Sequence, residues 1–285
     1  NLCNNKSEIM VVKIGIVKVG NIGTSVLIDM ILDERADRED IDVRTISSGA
    51  KMGKNQMDDV LPKIDEYNPD VIIFISPDPG AKSPSSARET LSKKNIPTIV
   101  IGDGPGERAI GSMKEQGLGY IIVKADSMIG ARREFLDATE MAVFNSDVLM
   151  VLSTTGVFRL IHKTLDKVIR DIDEDKLYSL PELVITAENA VDAADFKNPY
   201  AKSKAIAAYS IACQVSSMNV RACFKTKDYH VYIPLVSAAH EMMSAASKLA
   251  YEAREIEKSN DTVVRTAHRR NGSILYGTSL NDNKE

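Results

Sequence analysis

The fold is decided by VVKIGIVKV at residues 11–19 and by GNIGTS at residues 20–25, which follows it directly. The first string is almost entirely apolar and rich in β-branched residues, a pattern that predicts a buried strand. The second string is a glycine-spaced loop, and residues 24–35 after it carry apolar side chains at helical spacing. A strand, a glycine loop and a helix in this order are typical of the opening of an α/β protein.

Further along the chain the same alternation continues. Helical segments such as 85–93 and 108–116 lie between short apolar runs. The runs that predict strands are residues 41–46, 70–75, 96–101 and 119–123. Strands that are apolar throughout and separated by helices predict a Rossmann-like, mostly parallel sheet covered on both faces. We therefore expect an α/β coenzyme-binding domain over residues 10–130.

The second half has a different character, and we expect a helical bundle over residues 131–270. The pattern predicts helices at 133–171, broken near 154–156, at 199–217 and at 235–258. Residues 220–224 and 229–233 alternate around Thr226-Lys227-Asp228, which predicts a small antiparallel β-hairpin. The two ends, 1–9 and 271–285, are polar and are expected to be flexible.

The composition of the chain argues against several classes of function. The 285 residues are 44% hydrophobic and 27% charged, which is typical of a globular protein. A net charge of −4 argues against a general nucleic-acid binder. Three cysteines are too few for a disulfide scaffold, and no apolar run approaches the length that spans a bilayer. We expect a reduced, cytoplasmic protein with neither a nucleic-acid nor a membrane partner.

Several familiar motifs are absent or incomplete. The first loop lacks the G-x-G-x-x-G spacing of dinucleotide-binding proteins, and no acidic residue ends the second strand at 45–48 to hold a ribose. Residues 49–55 resemble a phosphate loop, but their glycine spacing is one residue short and Asn55 replaces the required Ser or Thr. These departures argue against NAD and against a nucleotide triphosphatase.

Metal and nucleophile motifs are equally incomplete. His240-Glu241-Met242-Met243-Ser244 begins like a zinc-protease helix, but Ser244 stands where the second histidine is required. His162, His230 and His268 show no ligand spacing, and Cys213 and Cys223 are interpreted as core thiols. We therefore predict no metal site and no catalytic side chain.

The loops after the predicted strands are the candidates for ligand binding, because ligands of open parallel sheets bind beyond the carboxyl ends of the strands. Glycines there allow the backbone to approach a ligand, and prolines keep the loops rigid. Arginines after the fifth strand match carboxylate and phosphate groups. A cleft that binds an anionic molecule is therefore expected at this edge.

Six strings resemble one known family, the coenzyme F420-dependent methylenetetrahydromethanopterin dehydrogenases. The resemblance covers residues 10 to about 268. The strings are GNIGTS (20–25), LDERADRED (32–40), EQGLGYI (115–121), GARREFLD (130–137), AHEMM (239–243) and EKSND (257–261).

The resemblance implies reversible hydride transfer between methylenetetrahydromethanopterin and coenzyme F420, which gives methenyltetrahydromethanopterin in archaeal one-carbon metabolism (methanogenesis). It also implies a dissociable F420, no bound metal and a homo-oligomer, a hexamer. From the positions of the loops, the expected F420 contacts are Gly20, Asn21, Ile22, Gly23, Thr24, Ser25, Pro77, Asp78, Pro79, Gly102, Asp103 and Pro105. The expected substrate contacts are Lys124, Asp126, Arg132, Arg133, His240 and Glu241. Two alternatives stay open: an NAD(P)-dependent one-carbon oxidoreductase, and a non-catalytic coenzyme-binding protein.

Overall fold

A six-stranded, fully parallel sheet forms the centre of the computed structural model, which describes residues 11–32, 35–127 and 137–282. The strands are β1 (Val12–Lys18), β2 (Ile41–Ser47), β3 (Val71–Ile75), β4 (Thr98–Asp103), β5 (Gly119–Val123) and β6 (Glu182–Ile185). Their order across the sheet is β2-β1-β3-β4-β5-β6. The five predicted strands are confirmed, and β6 is an addition that the sequence pattern did not indicate.

The centre of the sheet is covered on both faces, since every residue of β3, β4 and β5 is buried. Alternate side chains of a strand point to opposite faces. Ile73 of β3 therefore belongs to one apolar cluster, and Ile72 and Phe74 belong to the other. All five residues of β3 are buried, as the uninterrupted apolar run predicts.

Nine helices surround this sheet within the described residues. They are α1 (Gly23–Leu32), α2 (Lys54–Tyr67), α3 (Lys82–Ser92), α4 (Ile110–Glu115), α5 (Ala138–Thr154), α6 (Val157–Asp173), α7 (Ala187–Ala194), α8 (Pro199–Val220) and α9 (Tyr229–Ser259). Helices α2, α3 and α4 contribute to the cluster on one face. Helices α1, α5, α6, α8 and α9 contribute to the cluster on the other face.

The predicted break between α5 and α6 is confirmed at Gly156. Its φ is +104°, and a Cβ there would lie 1.9 Å from the carbonyl oxygen of Ala190. Only glycine fits both the left-handed backbone and this close approach to α7. Helices α8 and α9 then pack along each other through buried alanines such as Ala212 and Ala246, which allow a close helix–helix distance.

The predicted hairpin at 220–224 and 229–233 is wrong. Helix α8 runs through Val220 into a π-helical segment, Arg221–Lys225, and α9 begins at Tyr229. The Asp228 carboxylate accepts a hydrogen bond from the His230 amide and so caps α9. Burial of Cys223 and Tyr232 in a shared apolar cluster outweighs the local strand propensity.

The antiparallel pair lies instead at the C-terminal end of the chain. It consists of β7 (Arg265–His268) and β8 (Ile274–Gly277). Strand β8 lies within the end 271–285, whose flexibility stays a prediction. The proposed domain boundary at 130 falls in the segment 128–136, outside the described residues, and β6 from the second half pairs with β5 in the sheet of the first half.

Of the described helices, no single one combines the length and the apolarity needed to cross a membrane; α5 and α6 would pass that test only as a pair, and they are bent by 63° at their break.

Candidate active site

A cleft of about 480 Å³ lies at the edge of the sheet where the parallel strands end. Gly20 and Pro77 line it just after β1 and β3, and Asp103 and Ser127 line it at or just after the ends of β4 and β5. The opposite wall is the end of α8 together with the π-helical segment. The predicted position of the cleft is therefore confirmed, because strands that run in parallel bring their loops to one edge.

The sheet side of the cleft is rigid. Gly20 has a φ of +86°, and a Cβ there would lie 2.9 Å from both Met52 Sδ and Pro77 Cδ. The loop after β3 is held from behind by Arg88, which is only 1% exposed and donates to the Pro79 carbonyl oxygen at 2.8 Å. Pro79 itself packs against the position of Gly102, so these two residues shape the wall but do not line the cavity.

Three buried polar side chains in the cleft have atoms without a hydrogen-bond partner among the described residues. These atoms are Asp103 Oδ1, Ser127 Oγ, and both the oxygen and the nitrogen of the Asn219 side-chain amide. The residues are 9%, 4% and 3% exposed. An unsatisfied buried polar group costs about 1–3 kcal/mol, so three of them in one cavity indicate a place where a ligand supplies the missing partners.

The carboxyl group of Asp103 is unusual. Burial raises its pKa well above the ordinary value, and the nearby carboxylates of Asp126 and Asp78 raise it further. The side chain therefore remains protonated in conditions where an exposed aspartate is ionised. A neutral carboxyl in the cleft is able to donate a hydrogen bond to a ligand, which a carboxylate cannot do.

Replacing Asp103 by asparagine should make the protein more stable at pH 8 by at least about 1 kcal/mol, with no gain near pH 4. The folded-state pKa of Asp103 is raised, so the unfolded chain releases this proton first and wild-type stability falls as the pH rises. Asparagine mimics the neutral acid and carries no such penalty. Urea denaturation at both pH values measures the difference.

The exposed Asp192 provides the matched control. Asp192→Asn should show no comparable pH-dependent gain in stability. If Asp103→Asn gave the same free energy of unfolding as wild type at pH 8, the neutral state of Asp103 would be wrong.

The N-terminus of α1 is neutralised by the protein itself. The Asp126 carboxylate accepts hydrogen bonds from the Gly23 amide at 2.8 Å and the Thr24 amide at 2.6 Å, and from Thr24 Oγ1 at 2.6 Å. Asp126 therefore caps α1 from the loop after β5. Asp126 thus occupies the donors that a bound anion would otherwise use.

The expected ligand residues around this cap do not reach the cavity. Ile22, Gly23, Thr24, Ser25 and Asp126 are all buried, and none of them lines the cleft. A Cβ at Gly23 would lie 3.1 Å from Asp126 Oδ1 and from Leu152 Cδ1 of α5. The glycine at this position therefore serves helix packing.

The remaining expected substrate residues are dispersed. Lys124 forms an ion pair with Glu107 at 2.8 Å and does not line the cavity. On α9, His240 pairs with Glu140 of α5, and Glu241 is exposed. Neither α9 residue lines the cleft. Arg132 and Arg133 fall in the segment 128–136, outside the described residues, so their role stays a prediction.

Of the expected F420 contacts, six line the cleft: Gly20, Asn21, Pro77, Asp78, Asp103 and Pro105. Sequence reasoning missed the opposite wall, whose lining residues are Ser216, Asn219, Val220, Cys223, Phe224 and Lys225. It also missed Ala50, Met52, Arg108 and Ser127. Arg108 forms an ion pair with Asp78 at 2.5 Å and so fixes one rim of the cleft. The wrong prediction of a hairpin at 220–233 explains why this wall was missed. Two strands there would not extend α8 along the cleft, as the π-helical segment does.

Comparison with known proteins gives a consistent result. The family model described as methylene-5,6,7,8-tetrahydromethanopterin dehydrogenase matches residues 12–285. Proteins of Methanobrevibacter smithii and Archaeoglobus fulgidus, both named F420-dependent methylenetetrahydromethanopterin dehydrogenase, are 58% and 55% identical to this chain. Each match covers 95% of this chain and 98% of the relative.

A solved structure also matches closely, with a TM-score of 0.91 and 45% identity over 95% of this chain and 98% of the other. It is described as an F420-dependent methylene-tetrahydromethanopterin dehydrogenase in complex with methylene-tetrahydromethanopterin and coenzyme F420. The resemblance seen in the sequence is confirmed: the chain belongs to the methylene-5,6,7,8-tetrahydromethanopterin dehydrogenase family.

Proposed function

We propose that the chain transfers a hydride reversibly between methylenetetrahydromethanopterin and coenzyme F420 in the cleft at the sheet edge. The observation that carries this proposal is the near full-length match to a structure in complex with both molecules, at 45% identity. The names of relatives at 50–58% identity support the same reaction. The reaction belongs to one-carbon metabolism in methanogenesis, and its acceptor is F420, which dissociates after each turnover.

This reaction requires little acid–base catalysis by the protein. Loss of hydride from the methylene carbon leaves a methenyl cation whose charge is shared by two nitrogens, so no proton has to be removed in that step. The deazaflavin brings the redox chemistry, and the chain supplies binding and orientation. Holding the donor and acceptor carbons about 3–3.5 Å apart supplies much of the rate enhancement. The rigid wall formed by Gly20, Met52 and Pro77 suits this task.

The electrostatics of the cleft favour an acceptor that gains negative charge. Reduced F420 is anionic, and an ionised carboxylate beside it would oppose the transfer. Protonated Asp103 instead offers a neutral donor, and Ser127 and Asn219 add further donors that have no partner among the described residues. Fixed donors in a buried site stabilise developing charge without reorganisation.

We assign the two ligands to opposite walls. The lining residues of the sheet edge would hold F420: Gly20, Asn21, Pro77, Asp78, Asp103 and Pro105. The end of α8, with Asn219, and the π-helical segment would face the pterin. Lys124, Arg132 and Arg133 remain candidates for the anionic tails, since guanidinium and ammonium groups match phosphate and carboxylate.

We further propose that the chain assembles into a homo-oligomer, a hexamer. Large exposed aromatic side chains support self-association: Tyr200 is 75% exposed, Phe224 62% and Tyr229 54%. Phe224 also lines the cleft, so an interface near it would help to enclose the ligands. The mass of the particle in solution checks this proposal, and a monomer would contradict it.

The function is tested by mixing purified protein with methylenetetrahydromethanopterin and oxidised F420. We expect the absorbance of oxidised F420 to bleach, and we expect no reduction when NAD or NADP replaces F420. Activity with a nicotinamide alone would overturn the choice of cofactor. Tight binding of F420 without turnover would favour a non-catalytic coenzyme-binding protein.

A further inference from the structure

A second cavity, of about 290 Å³, is lined by residues of α6, of α9 and of β7, the first strand of the C-terminal hairpin. Each of these three elements contributes one arginine to the lining: Arg159 from α6, Arg254 from α9 and Arg265 from β7. No residue lines both this cavity and the cleft of the proposed reaction. Hydride transfer therefore gives the three arginines no role.

None of these three guanidinium groups forms an ion pair with a carboxylate of a described residue. Among those residues, Arg159 donates only to the Val264 carbonyl oxygen, Arg265 donates only to two backbone carbonyl oxygens at 3.1 Å, and Arg254 makes no hydrogen bond. Burial lowers the pKa of Arg159, and the nearby charge of Arg254 adds to this effect. Because a guanidinium carries five N–H donors, most of the donors of the three arginines remain available to a ligand.

The two carboxylates that line the same cavity already have partners. Glu257 Oε1 accepts hydrogen bonds from the Lys197 and Asn198 amides at 3.0 and 2.8 Å, and Thr262 Oγ1 donates to Glu257 Oε2. Asp195 forms an ion pair with Lys197 Nζ at 2.8 Å, so its charge is matched by a lysine. The three arginines therefore give the cavity an excess of positive charge.

The first turn of α6 adds hydrogen-bond donors beside the arginines. Helix α6 begins at Val157, and its N-cap residue, Gly156, has no side chain to cap it. Gly156 and Phe158 both line the cavity. The first amides of a helix have no acceptor within the helix, and the helix dipole favours an anion at that end. The start of α6 therefore supports the preference for negative charge that the arginines create.

A buried cluster of His162, Asp166 and His268 holds β7, and with it Arg265, against α6. His268 is the last residue of β7, and its Nε2 lies 3.2 Å from His162 Nε2 and 3.0 Å from Asp166 Oδ1, both on α6. His162 also lines the cavity. The arginines of α6 and β7 are thus placed before any ligand arrives, which lowers the cost of binding one.

We propose that this cavity binds one phosphate-type oxyanion, either the free ion or the phosphate group of a small phosphorylated molecule. Guanidinium groups match phosphate through paired N–H···O bonds. A tetrahedral anion offers oxygens to donors from several directions, as α6, α9 and β7 provide here, whereas a carboxylate offers two oxygens in one plane. The bound anion stabilises the C-terminal hairpin, because it ties Arg265 to two long helices and a two-stranded sheet has little stability by itself.

The test is a calorimetric titration of the wild-type protein with inorganic phosphate at constant ionic strength. We expect one site per chain with a Kd below about 1 mM, and no saturable binding of acetate at the same concentrations. Phosphate at about 100 times its Kd should raise Tm by about 5 °C. Glycerol 3-phosphate distinguishes the two sources: tighter binding than phosphate indicates a phosphorylated molecule, and weaker binding indicates the free ion. Saturating F420 should leave the affinity for phosphate unchanged; competition would contradict a separate site.

Two variants and one control locate the site. Arg159→Gln and Arg254→Gln should each weaken phosphate binding by at least about 10-fold, since each removes charge-assisted hydrogen bonds. Arg269→Gln makes the same change of charge at an exposed position outside the cavity, and it should bind as wild type does. Arg254 is also exposed, so its variant decides the question if Arg159→Gln fails to fold.

Phosphate also stabilises proteins without a specific site, so the gain in Tm is compared between wild type and Arg254→Gln. Three results would overturn the proposal: no saturable binding of phosphate by the folded wild type, wild-type affinity in Arg254→Gln, or an equal loss of affinity in Arg269→Gln. None of these results bears on the hydride-transfer reaction, which is measured separately by the absorbance of F420.

Discussion

Asn219→Leu should lower kcat/KM for F420-dependent oxidation by about 100-fold and at the same time raise the stability of the ligand-free protein. Both effects have one cause. The Asn219 amide is buried in the cleft, and neither its nitrogen nor its oxygen has a hydrogen-bond partner among the described residues. Leucine removes this unsatisfied group, which gains about 1 kcal/mol in the free protein, but it leaves the ligand's polar atoms unpaired.

Steady-state kinetics and urea denaturation of the same preparation measure the two effects. Gln214→Leu is the matched control, because Gln214 is an exposed amide on the same helix and lies outside the cleft. That control should keep wild-type kinetics. A folded Asn219→Leu protein with wild-type kcat/KM would remove the end of α8 from the active site.

Asp126→Ala should destabilise the protein by about 3–5 kcal/mol. The carboxylate is fully buried and accepts three hydrogen bonds from Gly23 and Thr24 at the start of α1. Alanine leaves two buried amides and a hydroxyl without their acceptor, and it removes a negative charge from a helix N-terminus that favours one. The midpoint of urea denaturation should fall while the slope stays constant.

Two milder variants show whether the cap is the cause. Thr24→Val removes only the hydroxyl bond and should cost about 1 kcal/mol. Asp126→Asn keeps an acceptor oxygen and should fall between Thr24→Val and Asp126→Ala. An Asp126→Ala protein within 1 kcal/mol of wild type would show that this carboxylate does not hold α1 in place.

Some residues of the expected ligand-binding loops line the cleft and others do not, and the reason is physical. Gly20, Asp78 and Asp103 line the cleft because each follows or ends a parallel strand, and strand order alone brings such residues to one edge. Thr24 lies just after Gly20, and Asp126 lies just after β5, but these two residues bind each other across two loops about 100 residues apart and so do not line the cleft. A local pattern does not reveal whether a helix N-terminus is satisfied by the protein or by a ligand.

The sequence by itself determined the parallel α/β sheet, the edge at which its ligands bind and the family. Uninterrupted apolar strands, glycine loops and long specific strings are all local signals. Tertiary structure alone decided the second wall of the cleft, the C-terminal hairpin and the cluster of His162, Asp166 and His268. The hairpin pairs residues that are near each other in the chain, such as His268 and Ile274. The second wall and the cluster depend on contacts between residues about 100 or more positions apart, or on burial that overrides a local strand pattern, as it does at 220–224. Such contacts leave no period or spacing in one sequence, because they are set by how the helices pack on the sheet.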